Sequence, residues 1–78
     1  MGVVSSGDLE VLLQPVEGEH SQVDIRTSVD GYRDTWIAIF DRFFARYNGV
    51  VRIEINDAGA TPGIVLLRLE QAVEISEQ

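Results

Sequence analysis

Val23-Asp-Ile-Arg-Thr-Ser-Val29 alternates without a break: Val23, Ile25, Thr27 and Val29 fall on one side, Asp24 and Arg26 on the other. A period of two marks a strand with one face buried and one face wet. Val50-Val-Arg-Ile-Glu-Ile-Asn56 repeats the pattern, with Val51, Ile53 and Ile55 inward. Upstream, Leu9-Glu-Val-Leu-Leu13 sets Leu9, Val11 and Leu13 on one face and stops at Gln14-Pro15. Three one-sided strands need one apolar cover.

The cover is found between and after them. From Gly31 to Tyr47, Trp36, Ile37, Phe40, Phe43, Phe44 and Tyr47 recur at three- and four-residue spacing, which predicts a helix. Ser28 or Asp30 is placed to cap its start, and Asn48-Gly49 to end it, since both residues tolerate the left-handed conformation. An aromatic stripe at helical spacing reads as core before it reads as a cofactor box. Asp57-Ala-Gly-Ala-Thr-Pro62 is turn chemistry, with Thr61 as N-cap and Pro62 at the first helical position. A second helix then runs from Gly63 to Ile75 with Val65, Leu66, Leu69, Ala72 and Val73 on its stripe. The expected order is β-β-α-β-α. That is an α+β, two-layer sandwich: a small, mainly antiparallel sheet of three to four strands, covered on one face by two helices. The first two strands lie close enough to pair as an antiparallel hairpin, and Val3-Val4 reads as the remnant of a longer element.

Seventy-eight residues make one domain, residues 1–78. Thirteen acids against six bases leave a net charge of −7, and all six bases are arginine. No basic patch is available to displace counterions from nucleic acid, and an anionic membrane surface is disfavoured for the same reason. No apolar run is long enough to span a bilayer, and no secretory leader opens the chain, so the expected compartment is the cytoplasm. Met1-Gly2-Val-Val-Ser-Ser6 fits the loose myristoylation pattern, but nothing polybasic follows to supply a second anchor.

Without cysteine there is no thiol nucleophile, disulfide or zinc ribbon. The single histidine, His20, sits in a polar loop and reads as solvated. Glu17/Glu19 and Glu70/Glu74 are carboxylate pairs in exposed settings, with nothing to tune either as a general acid. Asp57-x-Gly59 offers one carboxylate, far short of a calcium site. Gly59 to Gly63 could present free N–H groups to a phosphate, although Pro62 removes one of them. In Ser5-Ser6-Gly7-Asp8 no histidine stands near in sequence to activate a hydroxyl. A serine in a turn of small residues is instead a suitable acceptor for a group added by another enzyme.

At these residues the sequence resembles the acyl carrier (delta) chain of malonate decarboxylase and, more distantly, the acyl carrier (gamma) chain of citrate lyase. The likeness runs from Gly2 to Ile75. It rests on Ser6-Gly7-Asp8-Leu9-Glu10-Val11, Thr27-Ser28-Val29-Asp30, Trp36 with Phe40-Asp41-Arg42, and above all Ile53-Glu-Ile-Asn-Asp57-Ala-Gly59-Ala-Thr-Pro-Gly63 with Leu67-Arg-Leu-Glu-Gln71. Ala45-Arg-Tyr-Asn48 looks more like the citrate lyase chain. Position 58 is alanine where the malonate family commonly has phenylalanine, and the segment before Gly2 is expected to be shorter than the family's.

The resemblance implies a non-catalytic carrier subunit. Residue-by-residue matching makes Ser6 the attachment point, because it directly precedes Gly-Asp. The group implied is 2′-(5″-phosphoribosyl)-3′-dephospho-coenzyme A, joined through a phosphodiester and holding acetyl or malonyl as a thioester. Implied partners are the acyl transferase and decarboxylase subunits and the transferase that installs the arm. A lysine-free surface offers that thioester no competing amine. A citrate lyase carrier, or an unmodified interaction module, is the alternative. A carrier should show Ser5-Ser6-Gly7 as an exposed, poorly ordered turn, with the Ser6 hydroxyl open to solvent and no histidine in reach.

Overall fold

The structure, a computed structural model, describes residues 1–77; Gln78, the last residue of the expected domain, lies outside them. Six elements follow in order: β1 (Gly2–Ser6), β2 (Leu9–Pro15), β3 (Gln22–Thr27), α1 (Arg33–Arg46), β4 (Val51–Asp57) and α2 (Pro62–Ser76). The α+β two-layer sandwich is present, with one strand more than the β-β-α-β-α order supplied. Val3-Val4 lies within a longer element. Residues 2–6 form a full strand, hydrogen-bonded to β2 with Gly2 opposite Leu13 and Ser6 opposite Leu9.

The sheet order is β1-β2-β4-β3, which corrects the expected β2–β3 hairpin. β4 lies between those two strands, antiparallel to β2 and parallel to β3. Burial accounts for the choice. Val51, Ile53 and Ile55 are at most 1% exposed, so β4 gains most from the centre. β3 carries Thr27 among its inward residues and is only half-buried, which suits an edge. The β3–α1–β4 crossover is the ordinary way to join parallel neighbours. Loop 16–21 is tied to the start of β4 by Val16 N–H on the Val50 carbonyl and Val51 N–H on Ser21 Oγ, both at 3.0 Å.

Both helices lie on one face. Leu9, Val11 and Leu13 of β2, the three β4 residues, Ile39, Phe40 and Phe43 of α1, and Val65, Leu69 and Ala72 of α2 form one core. Ile39, not Ile37, completes the α1 stripe; Ile37 is exposed. α2 rests on β1 and β2, so close to β1 that a Cβ on Gly2 would strike the Ala72 carbonyl oxygen. Glycine at position 2 is a condition of that packing.

Helix ends follow the sequence in one case and depart from it in the other. At α2, Thr61 Oγ1 accepts from Ile64 N–H at 3.4 Å, with Pro62 in the first turn. At α1 neither Ser28 nor Asp30 caps: Tyr32 occupies the N-cap position without a side-chain hydrogen bond. Gly31, with φ +87°, makes the turn into the helix instead. α1 does not end in a left-handed residue, for Tyr47 is extended. Gly49 is there for space, because a Cβ would meet the Tyr47 ring.

Ile53→Ala should destabilise the domain by about 2–5 kcal/mol, the range for emptying a packed aliphatic site. Leu67→Ala, on the exposed side of α2, should change stability by less than about 0.5 kcal/mol. Urea unfolding followed by circular dichroism checks both.

Candidate functional site

β1 ends at Ser6, β2 begins at Leu9, and Gly7-Asp8 makes the turn between them. Ser6 is therefore the last strand residue, not part of a loose turn. Its register opposite Leu9 puts its side chain on the helix-covered face, where it is half-buried. Ser5 points to the other face, opposite Glu10. Ser6 Oγ lies 3.3 Å from Asp8 Oδ1 and 3.4 Å from the Leu9 carbonyl oxygen. Both distances are long for a hydroxyl donor, so the hydroxyl is held weakly. Beyond it Gly7 is open, with nothing near the space a Cβ would fill. The expected exposure is thus corrected to partial exposure at a strand end. His20 belongs to loop 16–21, at the other end of β2.

Across the sheet from Ser6 the Asp57–Gly63 and Thr27–Asp30 segments come together. Leu9 pairs with Asp57, and Asp57 with Thr27. Ser6, Leu9, Asp57 and Thr27 form one transverse row on the covered face. Asp57 is the buried polar residue of the core, 9% exposed. Its Oδ2 accepts from Thr27 Oγ1 at 2.8 Å and its Oδ1 from Ala60 N–H at 2.9 Å. Backbone bonds close the corner: Ser28 N–H on the Asp57 carbonyl at 3.0 Å, and Ala58 N–H on the Asp8 carbonyl at 2.8 Å. Gly59, at φ +102°, turns the chain toward α2. The Ser-Gly-Asp turn and the Asp-Ala-Gly-Ala-Thr-Pro turn are thereby one assembly.

Above Thr27 and Asp57 the two helices part to leave a cleft of about 390 Å³. Tyr32, Trp36 and Ile39 form the α1 wall; Ala60, Pro62 and Val65 form the other. Sequence reading missed both the cleft and the Asp57 hub. Thr27 lay within one alternating run and Asp57 just past another, but nothing in one sequence joins positions 30 residues apart.

Among the described residues no cluster of metal-ligating side chains occurs, and no helix is long and apolar enough to cross a membrane. The carboxylates expected to be solvated are so: Glu17, Glu19, Glu70 and Glu74 are exposed. A serine beside a carboxylate, with no imidazole, can receive a group but has no local base of the triad kind.

Fold and site define a small open-sheet α+β domain that presents one hydroxyl at a strand end. The chain belongs to the malonate decarboxylase delta subunit family, whose model matches residues 1–76. It is 48% identical over 77 residues to the malonate decarboxylase acyl carrier protein of Xanthomonas campestris pv. campestris, covering 96% of this chain and 73% of that protein. Against the protein of the same name from Pseudomonas paraeruginosa it is 50% identical over 74 residues, covering 94% and 75%. It is also similar to a chain in the crystal structure of a Pseudomonas malonate decarboxylase hetero-tetramer in complex with malonate. There the identity is 43% and the TM-score 0.75, over 97% of this chain and 79% of that one. Of the two resemblances in the sequence, the malonate carrier is the one these matches support.

Asp57→Ala leaves the Thr27 hydroxyl and the Ala60 N–H without their acceptor and should cost about 1–3 kcal/mol. Asp57→Asn keeps one acceptor oxygen and should cost less. Amide exchange should speed up at Ala60 in the alanine variant; unchanged exchange there would remove Asp57 from its place as the hub.

Proposed function

We propose that this chain is a non-catalytic acyl carrier subunit of a malonate decarboxylase and that Ser6 Oγ bears its 2′-(5″-phosphoribosyl)-3′-dephospho-coenzyme A arm. Close to half of the residues are identical, over nearly the whole chain, to proteins named as that carrier, and this observation carries the reading. When bound, the arm supplies a thiol that holds acetyl and malonyl as thioesters.

The residues present fit the group. Ser6 Oγ has only long hydrogen bonds to give up, and the open space beyond Gly7 lets a second enzyme approach. Among the described residues one buried side-chain polar atom lacks a partner, Arg68 Nε. On α2, Leu66, Glu70 and Val73 line the groove toward α1, where Glu70 pairs with Arg46 at 3.6 Å. Arg68 therefore lies on the opposite flank, the one bordering β1. A phosphodiester on Ser6 adds negative charge to a chain already at −7, and Arg68, which donates to Gln71 Oε1 at 2.9 Å, is the one cation of α2.

This chain's work is to hold the arm and dock. A tether keeps an acyl group at an effective concentration of about millimolar near each partner site. The partners are the transferring and decarboxylating subunits of the complex and the enzyme that installs the arm; the acidic surface steers cationic docking faces toward it.

Co-expressed with that enzyme, the chain should gain the mass of the arm. Ser6→Ala should stay at its bare mass, while Ser5→Ala should load normally. A loaded Ser6→Ala protein would move the attachment elsewhere. Full malonate-dependent turnover with Ser6→Ala would favour the unmodified interaction module instead.

A further inference from the structure

The cleft between the helices has no part in the reading above, yet it opens on the row that begins at Ser6. We propose that it is a base-binding site: it receives the adenine ring of the arm carried by Ser6, stacked on Trp36. This rests on Ser6 being the attachment point.

The geometry has three parts. Ser6 and Asp57 belong to the same transverse row and the same face, two strand spacings apart, or about 10 Å. Leu9, between them in the row, is buried, so the arm runs outside the row, over the exposed Gly7-Asp8 turn and residues 58–61. A phosphodiester followed by two riboses carries the base toward the rim formed by Asp57 and Ala60. The lining is aromatic and aliphatic, with Tyr32 and Trp36 on one wall. Flat rings of this kind stack on any nucleobase without reading its sequence identity. The charge also selects. No arginine lines the cleft, and both oxygens of its carboxylate, Asp57, already accept hydrogen bonds. A phosphate would find no cation there and would face the charge of Asp57. A neutral, flat heterocycle suits the lining, with the hydroxyls of Thr35 and Thr61 at its edges. With the base seated, the phosphates and the thiol-bearing branch stay in solvent, and the branch pivots from a fixed point.

Trp36 is the chain's single tryptophan, so its emission reports this cleft. Loaded and unloaded protein should be compared after intact mass has shown which is which. Loading should quench Trp36 emission by half or more and give proton nuclear Overhauser contacts between the adenine ring and the Trp36 indole. Ala60→Leu, which keeps the backbone N–H that Asp57 needs, should load fully but lose the quenching and the contacts. A loaded wild-type chain with unchanged emission and no contacts overturns this proposal and leaves the carrier reading intact. Quenching that survives in Ala60→Leu places the base elsewhere and overturns it as well. A wild-type chain that gains no mass overturns the Ser6 assignment and this proposal with it.

Discussion

A carboxylate buried at the end of the central strand ties this molecule together. Asp57 sits where β4 leaves the sheet, and its two oxygens are claimed by opposite neighbours, the Thr27 hydroxyl at the end of β3 and the Ala60 N–H on the way to α2. A buried carboxylate is costly unless it is paired, and that cost is what fixes the corner. With Asp57 placed, Gly59 must take its left-handed turn, Thr61 falls at the N-cap and α2 starts in one direction only. The Ala58 N–H then lands on the Asp8 carbonyl, so the β1–β2 turn that follows Ser6 is fastened to the same corner. Position and orientation of the hydroxyl descend from a residue two strands away.

How much of this could be read in the sequence depends on whether the relevant information is local. Strand faces are local: the inward sets Leu9/Val11/Leu13 and Val51/Ile53/Ile55 are the buried sets of the structure. The start of α2 is local too, since Thr61-Pro62 states it outright. Strand neighbours are not, because alternation tells which side faces the core and nothing about which strand lies alongside. The β2–β3 hairpin failed for that reason, and the clue that would have prevented it is one of degree. β4 has three aliphatic inward residues, whereas β3 mixes in a threonine. β1 was hidden by brevity, its pattern being Gly-Val-Val-Ser-Ser with one apolar residue inward and one exposed. On α1 the stripe was displaced by one residue, from Ile37 to Ile39, since neighbouring apolar residues fit a 3.6 period almost equally well.

At the site the same division holds. Ser6 was singled out through its local motif and the resemblance built on it. The Asp57 hub and the cleft belong to residues brought together by the β3–α1–β4 crossover, and only the fold places Trp36 over Thr27. The two turns that carry the resemblance, 50 residues apart, are held to each other by one backbone hydrogen bond and one strand pairing. A family motif spread over such a distance records a single corner of the structure.

The same corner changes what a carrier of this kind asks of its protein. A mobile attachment turn would let the arm's origin wander along with its tip. Effective concentration at a partner site depends on how the tether's reach matches the span it must cross, and uncertainty in the origin broadens that match. Under the proposed attachment, a serine at the end of a paired strand, with Asp8 bonded to Ala58, would give the tether a fixed origin and leave motion to the arm. The proposed loading would require that the hydroxyl be surrendered, and the two long hydrogen bonds of Ser6 Oγ would make that inexpensive. Rigidity lies in the backbone and looseness in one hydroxyl. A 78-residue domain can maintain that separation because its most buried strand runs beneath the corner and ends in the residue that closes it.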